Sequence, residues 1–466
     1  MLGHARTADW PGRPDRAGEF RALAARPLPA LHPVADFVAL PTGTRTLSVD
    51  TKFALALTGA LVAFLGGRGL AFVLGGPLAA LVSWPYTLAL FTAVVAGPGA
   101  VAAFRCVALL LDDPPPVQRI RPTSPVTVVL VAAADPDVTV ASLTAIAGQD
   151  YSGPRRVVLV DPTPDHARTL AVHRAAVALA LPLEVVAGGP AHGDPRNVGL
   201  AVSTTPLVLA MQAGVRLHPS ALRLLVARLE SSDADTVAVV SHDLVRNRGL
   251  ATSAELAAGE ASLDVDTVAR IEALFVGPLA MPGACTLFRA DALRSVNGWP
   301  SGGGSDILVT WRFLERGWQV AHEMLAIVFT DDDVAIGSPI RRRARAARAL
   351  AAAAHESGGA RRLVARRSRV LARLDRAAPW LDAAFLIGWI QAIGFIGTGR
   401  PGLAIGYLVL VAPVTLAARA LGRRAQREAL DEACLVLTTP ARSWLAPLVS
   451  LGAVHAPAAL WARARR

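Results

Sequence analysis

The longest apolar stretches of the chain lie towards its two ends. Between Phe53 and Phe104 only Arg68 interrupts a run that otherwise lacks Asp, Glu, Lys and Arg. A helix needs about 20 apolar residues to cross a bilayer, so this run predicts two crossings that are joined by a turn at Gly75–Pro77. Arg68 is expected either to snorkel or to mark an earlier bend. Three more crossings are predicted at Ala383–Gly399, Pro401–Ala418 and Ser443–Ala462.

The pattern changes between Pro125 and Phe329, where short β-branched runs alternate with segments of helical periodicity. Strands that are separated by helices of this length are typical of βαβ units and predict a parallel sheet. The predicted strands are Val126–Val131, Arg156–Val160, Leu183–Val186, Leu207–Met211 and Thr236–Val240. The predicted helices include Val138–Gly148, Ala167–Ala180 and Pro219–Leu229.

These patterns predict an α/β domain inserted between about two transmembrane helices before it and about three after it. Residues 340–377 are dense in Arg and Ala, and their apolar side is too weak for a core, which favours amphipathic helices on the membrane surface. The division is a polar segment at 1–50, transmembrane helices at 51–111, a linker at 112–124, the α/β domain at 125–339, arginine-rich interfacial helices at 340–377 and transmembrane helices at 378–466.

Composition and charge agree with a membrane protein. Hydrophobic residues make up 53% of the chain, the mean hydropathy is +0.42 and the formal net charge is +11. The arginines gather beside the apolar stretches, and no basic stripe is interleaved with aromatic residues, so we expect membrane lipids as partners and no nucleic acid. Since the loop at 419–442 is basic, the positive-inside rule places it, and by counting back the α/β domain, in the cytoplasm. The three cysteines are too far apart to suggest a metal site or a disulfide framework.

Polar residues follow two of the predicted strands. Asp161 comes directly after a strand, where an acid can accept hydrogen bonds from uracil or ribose, although Asp-Pro is also a common turn. Arg196 and Asn197 open a short helix, and an arginine near a helix start can contact phosphate. Both positions are therefore candidates for binding a nucleotide.

Further blocks follow in an order that is known from one family. The segment Gly283–Leu293 precedes Gly298–Trp299, and Ser305–Asp306 precedes Trp311–Arg312. With Gln149–Tyr151 before the strand that ends at Asp161, the sequence resembles the family-2 glycosyltransferases, which share a GT-A fold and invert the anomeric centre. The resemblance covers about 125–350, and with helices on both sides the whole plan resembles the poly-N-acetylglucosamine synthases.

The resemblance implies roles for the matching residues. Asp306 would be the general base that removes a proton from the acceptor hydroxyl, with a helix N-cap as the alternative. The donor would be held by Asp161, Arg196 and Asn197. Gly283 and Trp311 would lie on the acceptor side.

The chain departs from the family at the metal site. After Leu207–Met211 the family has Asp-x-Asp, which holds Mg²⁺ or Mn²⁺ against the donor diphosphate, whereas this chain has Gln212, Ala213 and Gly214. A hard cation prefers anionic oxygens, so no metal ligands are expected there, and Gln212 and Gly214 are assigned to the donor side only. His218 lies nearby, but we interpret it as a surface histidine rather than a recruited ligand.

A second departure lies near the membrane. The family carries Gln-x-x-Arg-Trp, and the corresponding run here has neither the Gln nor the Trp. Its remaining arginines are expected either to offset the charge of the diphosphate or to face lipid: Arg342, Arg343 and Arg345.

Two functions follow from this sequence. The first is transfer of a sugar from a nucleotide donor, UDP-linked in our hypothesis, to a glycan or lipid acceptor at the cytoplasmic face of the membrane, with inversion. The second is a catalytically silent relative that serves as a membrane subunit of a glycan assembly or export complex, which the lost metal carboxylates favour.

Overall fold

A computed structural model describes residues 47–421, apart from 113–120, 164, 189–192, 246–265, 280–283, 303, 331–354, 356–361 and 419. The helices are α1 (Val49–Leu74), α2 (Gly76–Val82), α3 (Trp84–Leu110), α4 (Pro136–Ala147), α5 (His166–Ala178), α6 (Arg196–Val202), α7 (Ala221–Ser231), α8 (Asp266–Phe275), α9 (Ala290–Ser295), α10 (Ser305–Glu315), α11 (Arg366–Gly397) and α12 (Gly402–Ala418). The strands are β1 (Val126–Val131), β2 (Arg155–Asp161), β3 (Leu183–Ala187), β4 (Leu207–Gln212), β5 (Arg216–Leu217), β6 (Thr236–Val245), β7 (Cys285–Arg289) and β8 (Gln319–Thr330).

The strands form one mixed sheet in the order β3-β2-β1-β4-β7-β6-β8-β5. Strands β3, β2, β1 and β4 are parallel, as predicted. The prediction of a parallel sheet is confirmed only in part, because the sheet is mixed: β7, which was not among the predicted strands, runs antiparallel to both β4 and β6. A β-branched run indicates a buried strand, but it does not indicate the direction of that strand in the sheet.

Both faces of the sheet are buried, which explains why its strands are continuous apolar runs. On one face Leu130 of β1 packs with Leu143 of α4 and Leu225 of α7. On the other face Val129 of β1 packs with Trp299 and Phe313, which belong to the segment that contains α9 and α10. Alternate residues of β1 thus point into two separate cores.

Two helices at the amino end of the described chain, α1 and α3, are long and apolar enough to cross a membrane. The predicted turn is confirmed in part, because α1 ends at Leu74 and Gly75 caps it, whereas Gly76 and Pro77 begin the short helix α2. Many of their large apolar side chains are exposed, with Val73 77% exposed and Val62 65% exposed. Arg68 donates a hydrogen bond from Nη1 to Thr92 Oγ1 at 3.1 Å, so its charged group is directed at α3.

The helices after the α/β domain agree only in part with the prediction. Shorter apolar helices are present at Ala383–Gly397 and Gly402–Ala418, and the first of these continues the arginine-rich start of α11. The predicted crossing at Ser443–Ala462 and the basic loop at 419–442 lie outside the described residues. Three crossings after the domain therefore stay a prediction.

The apolar helices meet the α/β domain through an aromatic cluster. The ring of Phe275 in α8 lies 5.1 Å from that of Phe53 in α1 and 5.8 Å from that of Phe104 in α3, measured between centroids. Trp311 of α10 and Leu371 of α11 belong to the same buried cluster. The ends of α1, α3 and α11 that face the domain are thus packed against α8 and α10.

Candidate active site

The candidate base lies at the start of α10, in contact with the start of α6. Arg196 Nη1 donates to Asp306 Oδ1 at 2.5 Å, and Arg196 Nη2 donates to Ser305 Oγ at 2.8 Å. Asp194 binds the other side of the guanidinium, with its Oδ1 2.9 Å from Nε and its Oδ2 2.7 Å from Nη2. Arg196 therefore joins two carboxylates and one hydroxyl.

Burial and charge in this cluster oppose each other. The Arg196 side chain is 8% exposed and lies over the ring of Trp299, with its guanidinium carbon 4.7 Å from the ring centroid. Burial raises the pKa of Asp306, the Arg196 guanidinium lowers it, and the Asp194 carboxylate raises it again, so the net direction is upwards. A carboxyl with a raised pKa is a stronger base once it is ionised, which suits general base catalysis.

The alternative of Asp306 as a helix N-cap is wrong. The N-cap residue of α10 is Gly304, with φ of +94°, and Asp306 lies in the first turn of the helix. Its side chain is 26% exposed and is the most accessible of the three charged groups in the cluster. Asp306 is thus free of a capping role and reaches solvent.

The side-chain amide of Asn197 makes its hydrogen bonds to the protein backbone. Its Nδ2 donates to the carbonyl oxygen of Trp299 at 2.7 Å, and its Oδ1 accepts from the N–H of Trp299 at 2.9 Å. These bonds tie α6 to the turn before α10 and so help to place Asp306. Contact between Asn197 and the donor stays a prediction.

Asp161 ends β2 and is buried, with 3% of its surface exposed. Its Oδ1 accepts the N–H of Thr163 at 3.1 Å and an N–H of Arg168 Nη2 at 2.7 Å. Both the turn and the ion pair are therefore structural uses of the carboxylate. A nucleotide base or ribose would have to bind beside this pair, and this contact too stays a prediction.

The strand end that carries the family's metal carboxylates has none in this chain. Gln212 is the last residue of β4 and is exposed. Gly214 adopts φ of +93°, and its N–H donates to Ser142 Oγ at 2.9 Å. An amide and a glycine do not supply the anionic oxygens that Mg²⁺ or Mn²⁺ requires, and the described residues contain no cluster of acidic, His and Cys side chains that would hold a metal. The residues present do not fit the family's cation.

Of the other predicted residues, two are buried and four lie outside the described residues. Trp311, assigned to the acceptor side, is 1% exposed and packed in the cluster at the junction with the apolar helices. The interpretation of His218 as a surface residue is wrong, because it is fully buried and its backbone N–H donates to Ile327 of β8. Four predicted positions lie outside the described residues: Gly283, Arg342, Arg343 and Arg345.

Sequence reasoning missed Asp194 altogether. An acid before Pro195 at the start of a helix is an ordinary turn signal, and its carboxylate does receive the backbone N–H of Arg196 at 3.0 Å. A better signal was available in the spacing Asp-Pro-Arg, which puts an acid and a guanidinium on the same turn and allows them to pair. The contact between Arg196 and Asp306, which are 110 residues apart, has no local signal in the sequence.

Comparison with known proteins concerns the family and the fold of the chain. The sequence model described as glycosyltransferase like family 2 matches residues 122–355, which is half of the chain. The mannosyltransferase PcManGT from Pyrobaculum calidifontis, solved with GDP-Man and Mn²⁺, is 19% identical and has a TM-score of 0.52, over 79% of this chain and 98% of that chain. S. aureus TarS 1–349 is 16% identical with a TM-score of 0.36, over 65% of this chain and 91% of that one. No curated protein matches the chain.

Proposed function

Because the chain belongs to glycosyltransferase like family 2, we propose that it transfers a sugar from a nucleotide donor, UDP-linked, to a hydroxyl group of a glycan or lipid acceptor, with inversion. The observation that carries the proposal is the fixed carboxylate of Asp306, which is held by Arg196 at 2.5 Å and still reaches solvent. A base must be held in place and accessible to the hydroxyl that it deprotonates.

The chemistry is a single in-line displacement. The acceptor oxygen attacks the anomeric carbon and gives its proton to the Asp306 carboxylate, while the bond from that carbon to the diphosphate oxygen breaks. The nucleoside diphosphate leaves with the electron pair. Asp161, Arg196 and Asn197 lie at or beyond the carboxyl ends of β2 and β3, which is the edge where open α/β sheets bind nucleotides.

We also propose that the α/β domain faces the cytoplasm. The turns between α1 and α3 and between α11 and α12 lie together, because Arg400 Nε donates to the Pro77 carbonyl oxygen at 3.1 Å. Arg400 is the one charged residue in those two turns. The opposite ends of these helices pack on the domain. They carry several basic residues, among them Lys52, Arg105, Arg366, Arg367, Arg369 and Arg373. The positive-inside rule assigns those ends to the cytoplasmic side.

A second candidate function is a silent subunit of a glycan assembly complex. Two observations favour it. Gln212 and Gly214 replace the carboxylates that would hold a metal against the diphosphate, and Arg196, the predicted phosphate contact, already binds Asp194 and Asp306. In this case the fold would be kept for a membrane partner subunit rather than for catalysis.

Nucleotide release separates the two functions. The full-length protein is reconstituted in lipid nanodiscs with a membrane extract as the source of acceptors. Release of UDP or GDP is then measured from UDP-glucose, UDP-N-acetylglucosamine, UDP-galactose and GDP-mannose. An enzyme should turn over at least one donor, and Asp306→Asn should lower that rate by about 10²–10⁴-fold while leaving UDP binding by calorimetry nearly intact.

The matched control is Asp291→Asn. Asp291 is paired with Arg294 at the surface and its side chain is 97% exposed, so this substitution should leave turnover unchanged. Absence of turnover with every donor, together with absence of UDP binding, would exclude the enzyme and support the silent subunit. Full activity in Asp306→Asn would show that the base is another residue.

A further inference from the structure

Asp194 and Asp306 bind different N–H groups of Arg196. A guanidinium has a fork of N–H donors that matches both oxygens of a carboxylate. Here the fork formed by Nε and Nη2 is occupied by Asp194, at 2.9 and 2.7 Å. Only Nη1 is directed at Asp306, and it binds a single oxygen, Oδ1.

The second oxygen of Asp306 would receive the proton in the proposed reaction. In the part of the chain that the structure describes, Oδ2 of Asp306 makes no hydrogen bond, and the side chain is partly exposed. If the guanidinium were to turn its fork towards Asp306, both oxygens would be covered. The acceptor hydroxyl would then compete with two strong charge-assisted hydrogen bonds for the same carboxylate.

We propose that Asp194 is a positioning residue that keeps Arg196 bound to one oxygen of Asp306, so that the other oxygen stays free to accept the proton of the acceptor hydroxyl. The proposal rests on the proposed function, in which Asp306 is the base. Ser305 and Trp299 complete the arrangement: the hydroxyl of Ser305 receives the second N–H of Nη2, and the indole supports the face of the guanidinium.

The charges of the cluster lead to a measurable effect of pH. The charged groups that face Asp306 in the described chain are Arg196 and Asp194. Asp194 acts in two ways, since its charge disfavours ionisation of Asp306 and it occupies part of Arg196. Removal of its charge should therefore lower the pKa of Asp306 and move the acidic limb of the rate profile to lower pH.

The first test is a pH–rate profile from pH 5 to 9 for the wild type, Asp194→Asn and Asp194→Glu, with UDP or GDP release from the four donors as the signal. We expect Asp194→Asn to lower kcat by about 10–10²-fold, as displacements of catalytic groups do, with little change in KM for the donor. The acidic limb should move to lower pH, and Asp194→Glu should restore part of the rate. Asp291→Asn, the exposed acid, should match the wild type.

A double variant tests the fork itself. Lys has no planar fork and does not form the paired, parallel hydrogen bonds that Arg makes to the two oxygens of a carboxylate. In the Arg196→Lys background, Asp194→Asn should therefore cost far less than it costs in the wild type. Equal losses in the two backgrounds, or a uniform loss at every pH without movement of the acidic limb, would overturn the proposal and leave Asp194 a merely structural residue.

A test without turnover keeps this inference separate from the proposed function. The thermal unfolding temperature is measured against pH for the wild type, Asp306→Asn, Asp194→Asn and the double variant. The effect of Asp306→Asn is then compared between the wild-type and the Asp194→Asn backgrounds. The pH at which the difference changes should be lower in the Asp194→Asn background. Absence of nucleoside diphosphate release by the wild type would overturn the proposed function, whereas an unmoved transition would overturn the positioning role of Asp194 even in an active enzyme.

Discussion

The side-chain amide of Asn197 binds the backbone of Trp299 on both of its polar sides, as donor at 2.7 Å and as acceptor at 2.9 Å. The preceding residue, Gly298, adopts φ of +62°, and a Cβ atom added to it would lie 2.2 Å from Asn197 Oδ1. The glycine and the asparagine therefore depend on each other. Together they place the Trp299 ring under Arg196, and through it the base.

This dependence predicts a non-additive pair of substitutions. Asn197→Ala should lower the free energy of unfolding by about 1–3 kcal/mol, because two hydrogen bonds are lost and the Trp299 backbone is left unpaired. Gly298→Ala should also destabilise, through strain of about 1–2 kcal/mol at positive φ and through the clash with Asn197. In the double variant the clash is absent, so the combined loss should be smaller than the sum of the two.

Thermal or denaturant unfolding measures all four proteins of this cycle. Gly302→Ala is the matched control, since Gly302 has φ of +105° and nothing within 4 Å of its added Cβ. Its cost should be the same with Asn or Ala at position 197. Strict additivity of Asn197→Ala with Gly298→Ala would contradict the contact.

The sequence predicted the first half of the sheet because its signals are local there. Strands β1 and β4 agree with the predicted runs within one residue, since β-branched residues buried on both faces show a continuous apolar pattern. The position of Asp306 at the start of a helix also agrees with the local motif. These features need no knowledge of distant contacts.

The features that were missed depend on contacts between distant segments. His218 is buried because β8, a hundred residues later, pairs with β5 and covers it. Trp311 matches a motif position, but the side of α10 that it occupies packs against Phe275 and Leu363. The pairing of Arg196 with Asp306 likewise joins segments 110 residues apart. A periodic pattern cannot specify which distant surface will cover a residue.

The burial of His218 predicts a pH dependence of stability. Burial lowers its pKa to about 4, against about 6.5 in an unfolded chain. Between these two values the unfolded state therefore binds a proton that the folded state does not bind. The contribution is fully present above about pH 6.5 and is lost as the pH falls towards 4, by an amount on the order of 3 kcal/mol.

His218→Asn isolates this contribution, because Asn keeps an acceptor near the position of Nδ1, which receives the N–H of Ser220 at 3.3 Å. The unfolding temperature of the wild type should fall relative to that of the variant between pH 6.5 and 4. His173→Asn, at an exposed position of α5, should show no such change. A wild-type–variant difference that is constant over this range would mean that His218 is not held neutral.

The orientation proposed for the domain predicts opposite labelling of two positions. Single cysteines are introduced in a background without the three native ones, at Ala171 of α5 and at Thr398 in the turn beside Arg400, both of which are exposed. In intact cells an impermeant maleimide should label Thr398→Cys and should fail to label Ala171→Cys. Lysis of the cells should make Ala171→Cys reactive. Labelling of Ala171→Cys from outside would reverse the orientation and remove access to cytoplasmic donors.

The last prediction concerns the strand end without carboxylates, where the native protein should show little dependence on divalent cations. Gln212→Asp restores one acid at an exposed position at the end of β4 and should add weak Mn²⁺-dependent binding of UDP, measured by calorimetry with and without the metal.

The second acid is harder to restore. Gly214 has φ of +93°, and an added Cβ would lie 3.3 Å from Val138 Cγ1. Gly214→Asp should therefore lower the free energy of unfolding by about 1–2 kcal/mol, and Gly214→Ala, which carries the strain without the charge, is its control. An adapted enzyme should gain little turnover from Gln212→Asp, whereas a silent subunit should gain metal-dependent binding and no turnover. Native turnover that EDTA abolishes would contradict both, since the metal would then be held by residues other than those at this strand end.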